Sequence, residues 1–209
     1  MHFHNRTQAG QALAQALADY RGREDVMLMA LPRGGVPVAA EIARQLALPM
    51  GVMQVCKLHA PGEKDAVLGA IAQGDLYFLD QRLVAQRRLS ELQLQRIMTR
   101  KQIELQRRRR LYRTERIRNR QIRTMIVVDD GLQTGATMRV AVASLHQHYA
   151  DRELIVAVPV GATDACRDIE PMVERLVCPN QIASLGHVGR WYDDFSEVSD
   201  GDVMELLKC

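Results

Sequence analysis

The sequence predicts an α/β fold: a mainly parallel central sheet with helices on both faces, plus a β-hairpin and one long basic helix. Three observations carry this expectation. Short apolar runs of strand length recur at residues 26–31, 50–57, 125–128, 153–160 and 176–178, as in strands covered on both faces. Stretches of helical spacing separate most of them, so consecutive strands lie too far apart for hairpins and call for crossover connections. Glycine-bearing or acidic loops follow two of the strands directly, at the edge where open parallel sheets bind their ligands.

Taken in order, residues 8–20 have the spacing of a short amphipathic helix. Residues 26–31 form a strand that Pro32 ends, and 36–46 a helix with Ile42 and Leu46 on one side. Residues 50–57 read as the second strand, and 59–65 as a polar turn containing Pro61 and Gly62. Residues 67–72 and 76–79 flank Gln73-Gly74-Asp75, as in a β-hairpin. Most of 82–123 reads as one long helix. Beyond the strand at 125–128, residues 138–149 give a helix, 153–160 a strand, 164–170 a helix and 176–178 the last core strand. Nothing linker-like divides the chain. Residues 1–209 are therefore expected to form one domain, with 58–123 as a hairpin and basic-helix insertion and 179–209 as a tail.

Composition agrees with a compact enzyme. At 209 residues and 47% hydrophobic content the chain can bury one substantial core. Its amino-terminal residues lack the basic start and apolar core of a signal peptide, and no apolar run is long enough to cross a bilayer. A cytoplasmic protein without a membrane partner is the expectation. Cys56, Cys166, Cys178 and Cys209 are scattered without a Cys-x-x-Cys pair, which predicts free thiols. His2 and His4 lie near a terminus expected to be mobile, and His146 and His148 point to different sides of a helix, so neither pair reads as a metal site.

Charge is segregated. Residues 82–123 hold 15 of the 28 Lys/Arg but only 3 of the 25 Asp/Glu. The segment is thus formally +12 in a chain of net +3, and the remainder is −9. Leu94, Met98, Leu105 and Tyr112 form an apolar stripe along the helix, while the run of arginines at 107–110 splays around it. Three readings stay open: a solvated, ion-paired face, which is favoured; attraction of a polyanionic ligand; and nucleic-acid binding, for which accompanying aromatics and a known motif are missing.

Residues 126–138, Ile-Val-Val-Asp-Asp-Gly-Leu-Gln-Thr-Gly-Ala-Thr-Met, carry the most chemistry. Asp129 and Asp130 sit at the carboxyl end of a buried strand. Gly131 and Gly135 let the backbone bend, exposing the amides of residues 133–137 just before a helix, an arrangement that favours an anion. Thr134 and Thr137 add hydroxyl donors, and the two carboxylates suit ribose hydroxyls or a hydrated Mg²⁺. Receiver-type and phosphatase-type proteins also place two acids after a strand, and a glycine turn can serve chain reversal alone; a sugar-phosphate site is the favoured reading. The loop is neither a Walker P-loop nor a dinucleotide fingerprint. Upstream, Arg33 offers a planar fork of donors, with Gly34 and Gly35 permitting unusual backbone angles that would turn amides toward a second anion; read alone, the loop fits a tight strand-helix turn with an exposed arginine equally well.

Residues 127–137 resemble the phosphoribosyl-pyrophosphate (PRPP) motif of the type I phosphoribosyltransferases, and residues 27–38 resemble the first strand and pyrophosphate loop of that family. Similarity to a bacterial subgroup of phosphoribosyltransferase-like proteins runs along nearly the whole chain. The resemblance implies transfer of a phosphoribosyl group from Mg-PRPP to a nitrogen base or related acceptor, with release of pyrophosphate. It implies a 5′-phosphate on Gly131, Leu132, Gln133, Thr134, Gly135, Ala136 and Thr137, and pyrophosphate on Arg33, Gly34, Gly35 and Lys57. Asp129, Asp130 and Arg33 are then the catalytic candidates, and Mg²⁺ arrives with PRPP, with Asp129 or Asp130 as its protein ligand. The segment 57–75 corresponds to a mobile loop over PRPP, and the tail 179–209 to the base-recognising hood, where Trp191 and Tyr192 are the stacking candidates; that these rings instead anchor the tail to the domain is at least as well supported. A homo-oligomer is expected. The alternative is a non-catalytic PRPP or nucleotide sensor that uses the basic helix on nucleic acid or a protein partner. Two positions depart from the family pattern: Gly131 stands where an aliphatic residue is common, and Gln133 where a smaller side chain is usual, which bears on PRPP affinity rather than on the fold.

Overall fold

The computed structural model describes residues 2–63, 67–72, 76–112 and 121–208, with backbone alone at 109 and 110. The expected turn at Gln73-Gly74-Asp75, part of the expected loop 57–75, residues 113–120 of the basic segment and Cys209 lie outside the described residues. In chain order the elements are α1 (Arg6–Ala16), β1 (Val26–Ala30), α2 (Gly35–Leu46), β2 (Met50–Val52), β3 (Val55–His59), β4 (Val67–Ala72), β5 (Tyr77–Leu79), α3 (Gln81–Gln86) and α4 (Glu91–Leu111). They continue with β6 (Thr124–Val128), α5 (Ala136–His148), β7 (Glu153–Ala157), β8 (Val160–Ala162), α6 (Thr163–Ile169), β9 (Arg175–Val177), β10 (Asn180–Ile182) and α7 (Asp200–Leu206).

Strands β2-β1-β6-β7-β9 form a five-stranded, fully parallel sheet. Alternate side chains enter two cores, because successive Cβ atoms leave a strand on opposite faces. Met27, Val127 and Val156 face Met138, Leu145 and Ile169 of α5 and α6. On the opposite face Leu28, Ile126 and Ile155 join Leu13, Ile42 and Val203 of α1, α2 and α7. Each such fully buried Leu or Ile contributes roughly 1.5–3 kcal/mol relative to exposure. The predicted two-faced α/β sheet is present.

Several expected elements are divided, each at a residue where the chain changes partner. The strand expected at 50–57 is two strands: Met53 N still donates to Ala30 O at 2.9 Å, beside β1, but Val55 pairs with Ala72 in a separate antiparallel sheet, β3-β4-β5. The hairpin therefore gains a third strand, and the described parts of 57–75 are mainly sheet rather than loop. Likewise 153–160 breaks at Pro159, which has no N–H to donate, and β8 pairs with β10 in a two-stranded ribbon. The first helix ends at Ala16 and is followed by a 3-10 turn at Ala18–Tyr20.

The long basic helix is also interrupted. Asp80 caps α3, Arg88 adopts φ 48°, and Ser90 opens α4 in a capping box with Gln93. A Ser-x-x-Gln signature marks that start in the sequence. Leu105, with half-buried Ile97 and Met98, packs on Cys56, Leu58, Leu68 and Ile71 of the small sheet. Tyr112 instead belongs to the α2-side core, and Leu94 is only half-buried. The amino terminus is pinned rather than mobile: Phe3 is buried, its N–H donates to Trp191 O at 2.9 Å, and His2 Nε2 lies 3.0 Å from Arg190 O.

Helices α1 and α2 meet at Gly10, where a Cβ would stand 2.8 Å from both Glu41 Cβ and Val38 O. Gly10→Ala gains up to about 1 kcal/mol of helix propensity. Both contacts lie on or next to the α2 backbone and cannot give way cheaply, so overpacking wins. The expected net loss is about 1–2 kcal/mol, a fall in Tm of roughly 3–6 °C by thermal melting; an unchanged or higher Tm would contradict this packing.

Candidate active site

Strand order places the site. From β1 the chain passes through α2 to β2 on one side, whereas from β6 it passes through α5 to β7 on the other. The loops after β1 and β6 thus emerge side by side at the carboxyl edge, the crevice where such sheets bind ligands. Leu31 N donates to Val128 O at 2.8 Å and prolongs the pairing into the loops. Together the loops line a cavity of about 500 Å³.

The two loops touch. A Cβ on Gly34 would lie 1.9 Å from Asp130 Oδ2, and one on Gly35 would lie 2.6 Å from Val128 O and 2.9 Å from Asp129 Cα. Gly34 has ordinary helical angles (φ −62°, ψ −33°) and Gly35 is the first residue of α2. Close approach, not the unusual conformation expected from sequence, therefore requires this glycine pair. Gly34 lines the cavity, while Gly35 does not. The Pro32–Arg33 peptide bond is cis.

In the second loop, Gly135 has φ 73° and occupies the N-cap of α5 without supplying a side-chain cap. Ala136 N meets Thr134 Oγ1 only at a long 3.4 Å. Residues 133–137 all line the cavity beside this helix start. Leu132 and Ala136 also line it, although both are almost wholly buried, so they offer backbone more than side chain. Gly131 serves packing: a Cβ there would lie 2.5 Å from Val188 Cγ1, so the tail valine fills the place of an aliphatic residue.

Asp129 and Asp130 lie half-buried in the cavity wall. Asp129 Oδ1 accepts from Asp130 N at 2.9 Å. Burial first, and the Asp130 charge second, push the Asp129 carboxyl well above the usual carboxylate range. Asp130 Oδ2 accepts from Arg6 Nε at 2.9 Å, with only 11% and 14% of the two side chains exposed. Arg6 also stacks 3.9 Å from the Phe195 ring centroid and donates to Ser196 O. Sequence reasoning missed Arg6; a contact spanning 124 residues leaves no local signal.

Arg33 lines the cavity and pairs with Glu197 of the tail. Lys57 of β3 lines it too, as do Lys101, Glu104 and Arg108 of α4. Trp191 and Tyr192 are not brought to it. The Trp191 indole donates to Leu185 O, and Tyr192 packs between Phe3 and Phe195 while its hydroxyl donates to Asp130 O at 2.7 Å. Among the rings lining the cavity are His59, Phe195 and His187, the last two edge to face at 6.0 Å. Away from it, Cys166 and Cys178 converge on Gly161, a pairing invisible in their spacing; their mutual hydrogen bond lowers the Cys166 thiol pKa and raises that of Cys178. Among the described residues no group of three or more His, Cys, Asp or Glu is placed to hold a metal ion, and no helix is long and apolar enough to cross a membrane.

The family description "Phosphoribosyl transferase domain" matches residues 2–183. A Mycobacterium tuberculosis H37Rv protein provisionally named a phosphoribosyl transferase is 35% identical over 206 residues, which is 98% of this chain and 46% of that protein. The chain thus spans about half the length of the curated relatives it matches. The crystal structure of TT1426 from Thermus thermophilus superposes with a TM-score of 0.73 at 34% identity, covering 99% of this chain and 98% of that one. The AQ2163 protein of Aquifex aeolicus, at TM-score 0.51 and 11% identity over 84% of this chain and 72% of its own, shares the fold.

The acidic pair has a consequence for stability. A carboxyl whose folded pKa exceeds its unfolded value binds its proton longer in the folded chain, so stability is full below about pH 4 and falls as pH rises toward the folded value. Asp129→Asn removes that fall. In metal-free buffer at pH 8 the variant should melt roughly 3–6 °C higher, a modest gain because the cavity admits solvent, and the gain should vanish near pH 4. A pH-independent difference would contradict the assignment.

Proposed function

The chain belongs to the phosphoribosyl transferase family, and on that premise we propose that it binds Mg-PRPP and transfers its phosphoribosyl group to a nitrogen base or related acceptor. One observation supports this above the others: an uncapped helix start, an acidic pair and an arginine turn, from the two loops flanking β1 and β6, line the same cavity. The amides and hydroxyls of 133–137 take the 5′-phosphate. Asp129 and Asp130 take the ribose hydroxyls, and Arg33 takes the pyrophosphate, leaving Glu197 as it does so. Phe195 and His187 offer the rings against which a planar acceptor packs.

In the reaction a nitrogen lone pair forms the bond to C1 of the ribose, and the C1–O bond breaks with its electrons leaving on pyrophosphate. Positive charge grows on the ring and negative charge on the leaving group. The aspartates stabilise the first and Arg33 with Lys57 the second, each more strongly in the transition state than before it. The donor set fits a hard cation completed by substrate oxygens and water: Asp129 and Asp130 would hold Mg²⁺, which supplies neutralisation of the leaving pyrophosphate when bound. A nucleotide-sensing regulator that grips nucleic acid or a protein through the basic helix has less behind it, because Lys101 and Arg108 face the cavity.

Calorimetric titration with PRPP, with and without Mg²⁺, tests the reading. Binding should depend on the metal and weaken at least ~10-fold, about 1.4 kcal/mol, in the Asp129→Asn/Asp130→Asn double variant. Asp130→Asn alone should abolish pyrophosphate release in a screen of bases while leaving the fold intact. Absence of PRPP binding to well-folded protein would overturn the proposal.

A further inference from the structure

The basic helix α4 sends one short patch of its length into the cavity. Lys101, Glu104 and Arg108 stand three and four residues apart, on one face, and all three line the cavity. Glu104 ties the others together, accepting from Lys101 Nζ at 2.7 Å and from Arg108 Nη2 at 2.6 Å. Leu105, 5% exposed and packed against Cys56, Leu58 and Ile71, fixes the roll of the helix on the small sheet. The patch is therefore held in place on the helix.

Arg108 is only 16% exposed, and its Nε is buried without a hydrogen-bond partner. A buried donor left unpaired is unfavourable, and an incoming acceptor would relieve it. The neighbours fit an anion. Lys57 follows Cys56 on β3, and the Cys56 thiol feels the charges of Lys101, Glu104 and Arg108; Arg33 and Arg108 both act on the Tyr112 hydroxyl. Phe195, Val188 and His187 bring to the same cavity the aromatic and apolar surface a base would need.

We infer that Lys101 and Arg108, positioned by Glu104, form a second anion subsite, which holds the outer phosphoryl group of pyrophosphate while Arg33 holds the inner one. The identity of this anion rests on the phosphoribosyl-transfer reading, since a free phosphate compound offers the same chemistry. Arg108 presents a fork to two phosphoryl oxygens and Lys101 a point charge. Glu104 touches no ligand; it keeps two like charges together when the subsite is empty.

Affinities for Mg-pyrophosphate, PRPP, ribose 5-phosphate and inorganic phosphate test this. Arg108→Gln and Lys101→Met should each weaken pyrophosphate and PRPP binding tenfold or more and leave ribose 5-phosphate unchanged. Glu104→Gln should give a smaller loss with the same selectivity at unchanged Tm, and Arg100→Gln on the exposed side of α4 should do nothing. Equal losses for pyrophosphate and ribose 5-phosphate, an equal effect of Arg100→Gln, or unchanged pyrophosphate affinity would each overturn the subsite. Selective loss of inorganic phosphate alone would assign it to a free phosphate and overturn the pyrophosphate role. Wild-type protein that binds ribose 5-phosphate but not pyrophosphate would remove the subsite and leave the 5′-phosphate loop standing, whereas binding of neither would remove both readings.

Discussion

The contact between the Gly34-Gly35 turn and the Asp129-Asp130 turn is the constraint on which the rest depends. Two strands that send their chains in opposite directions must run side by side for a crevice to open, and in this protein β1 and β6 do so along their whole length. Their following turns can then converge only if one of them carries no side chain at the point of contact, since a single Cβ would strike Asp130 or the backbone at Asp129. That convergence buries one carboxyl beside another. The raised proton affinity of Asp129 is thus a by-product of sheet order.

The cavity handles that charge by pairing its ions provisionally. Arg6 holds Asp130, Glu197 holds Arg33, and Glu104 holds Lys101 and Arg108. Buried ion pairs contribute little net stability because desolvation offsets their attraction. They do keep the side chains in place at small cost to exchange, which suits the polyanion exchange that the proposed reaction calls for. The pairs differ in permanence. Arg6 and Asp130 are nearly enclosed, whereas Glu197 is 79% exposed and free to swing away.

How far the sequence foretells this depends on the range of the interaction. The strands, α2 and α5, the acidic pair and the left-handed Gly135 are local patterns and are legible. Breaks at Met53 and Pro159 are less so, because periodicity reports that a run is buried and not which strand it pairs with. Gly34 and Gly35 read as flexible when they are merely small; only the position of a distant loop separates the two. Arg6, the facing thiols of Cys166 and Cys178, and the inward turn of α4 all depend on contacts across most of the chain. The concentration of rings at 191–195 is visible, but which ring reaches the cavity depends on how the tail returns to Phe3.

That return has a further physical meaning. The tail and the amino terminus form one small core around Phe3, Leu185, Val188 and Tyr192, set directly against the acidic loop. Val188 occupies the gap at Gly131, and Tyr192 bonds the Asp130 carbonyl. Arg6 bridges from the Asp130 carboxylate to Phe195 and the Ser196 carbonyl. Val188, Tyr192 and Arg6 thus link this cluster directly to the acidic loop. The ring-bearing tail and the acidic pair therefore share a support, so a change in the tail cannot leave the acidic pair wholly undisturbed. The cationic end is supported differently: Lys101 and Arg108 are carried by a helix braced on the small sheet, and that sheet in turn packs through Val55, Ala70 and Ala72 against Leu132 and Met138 beside the second loop.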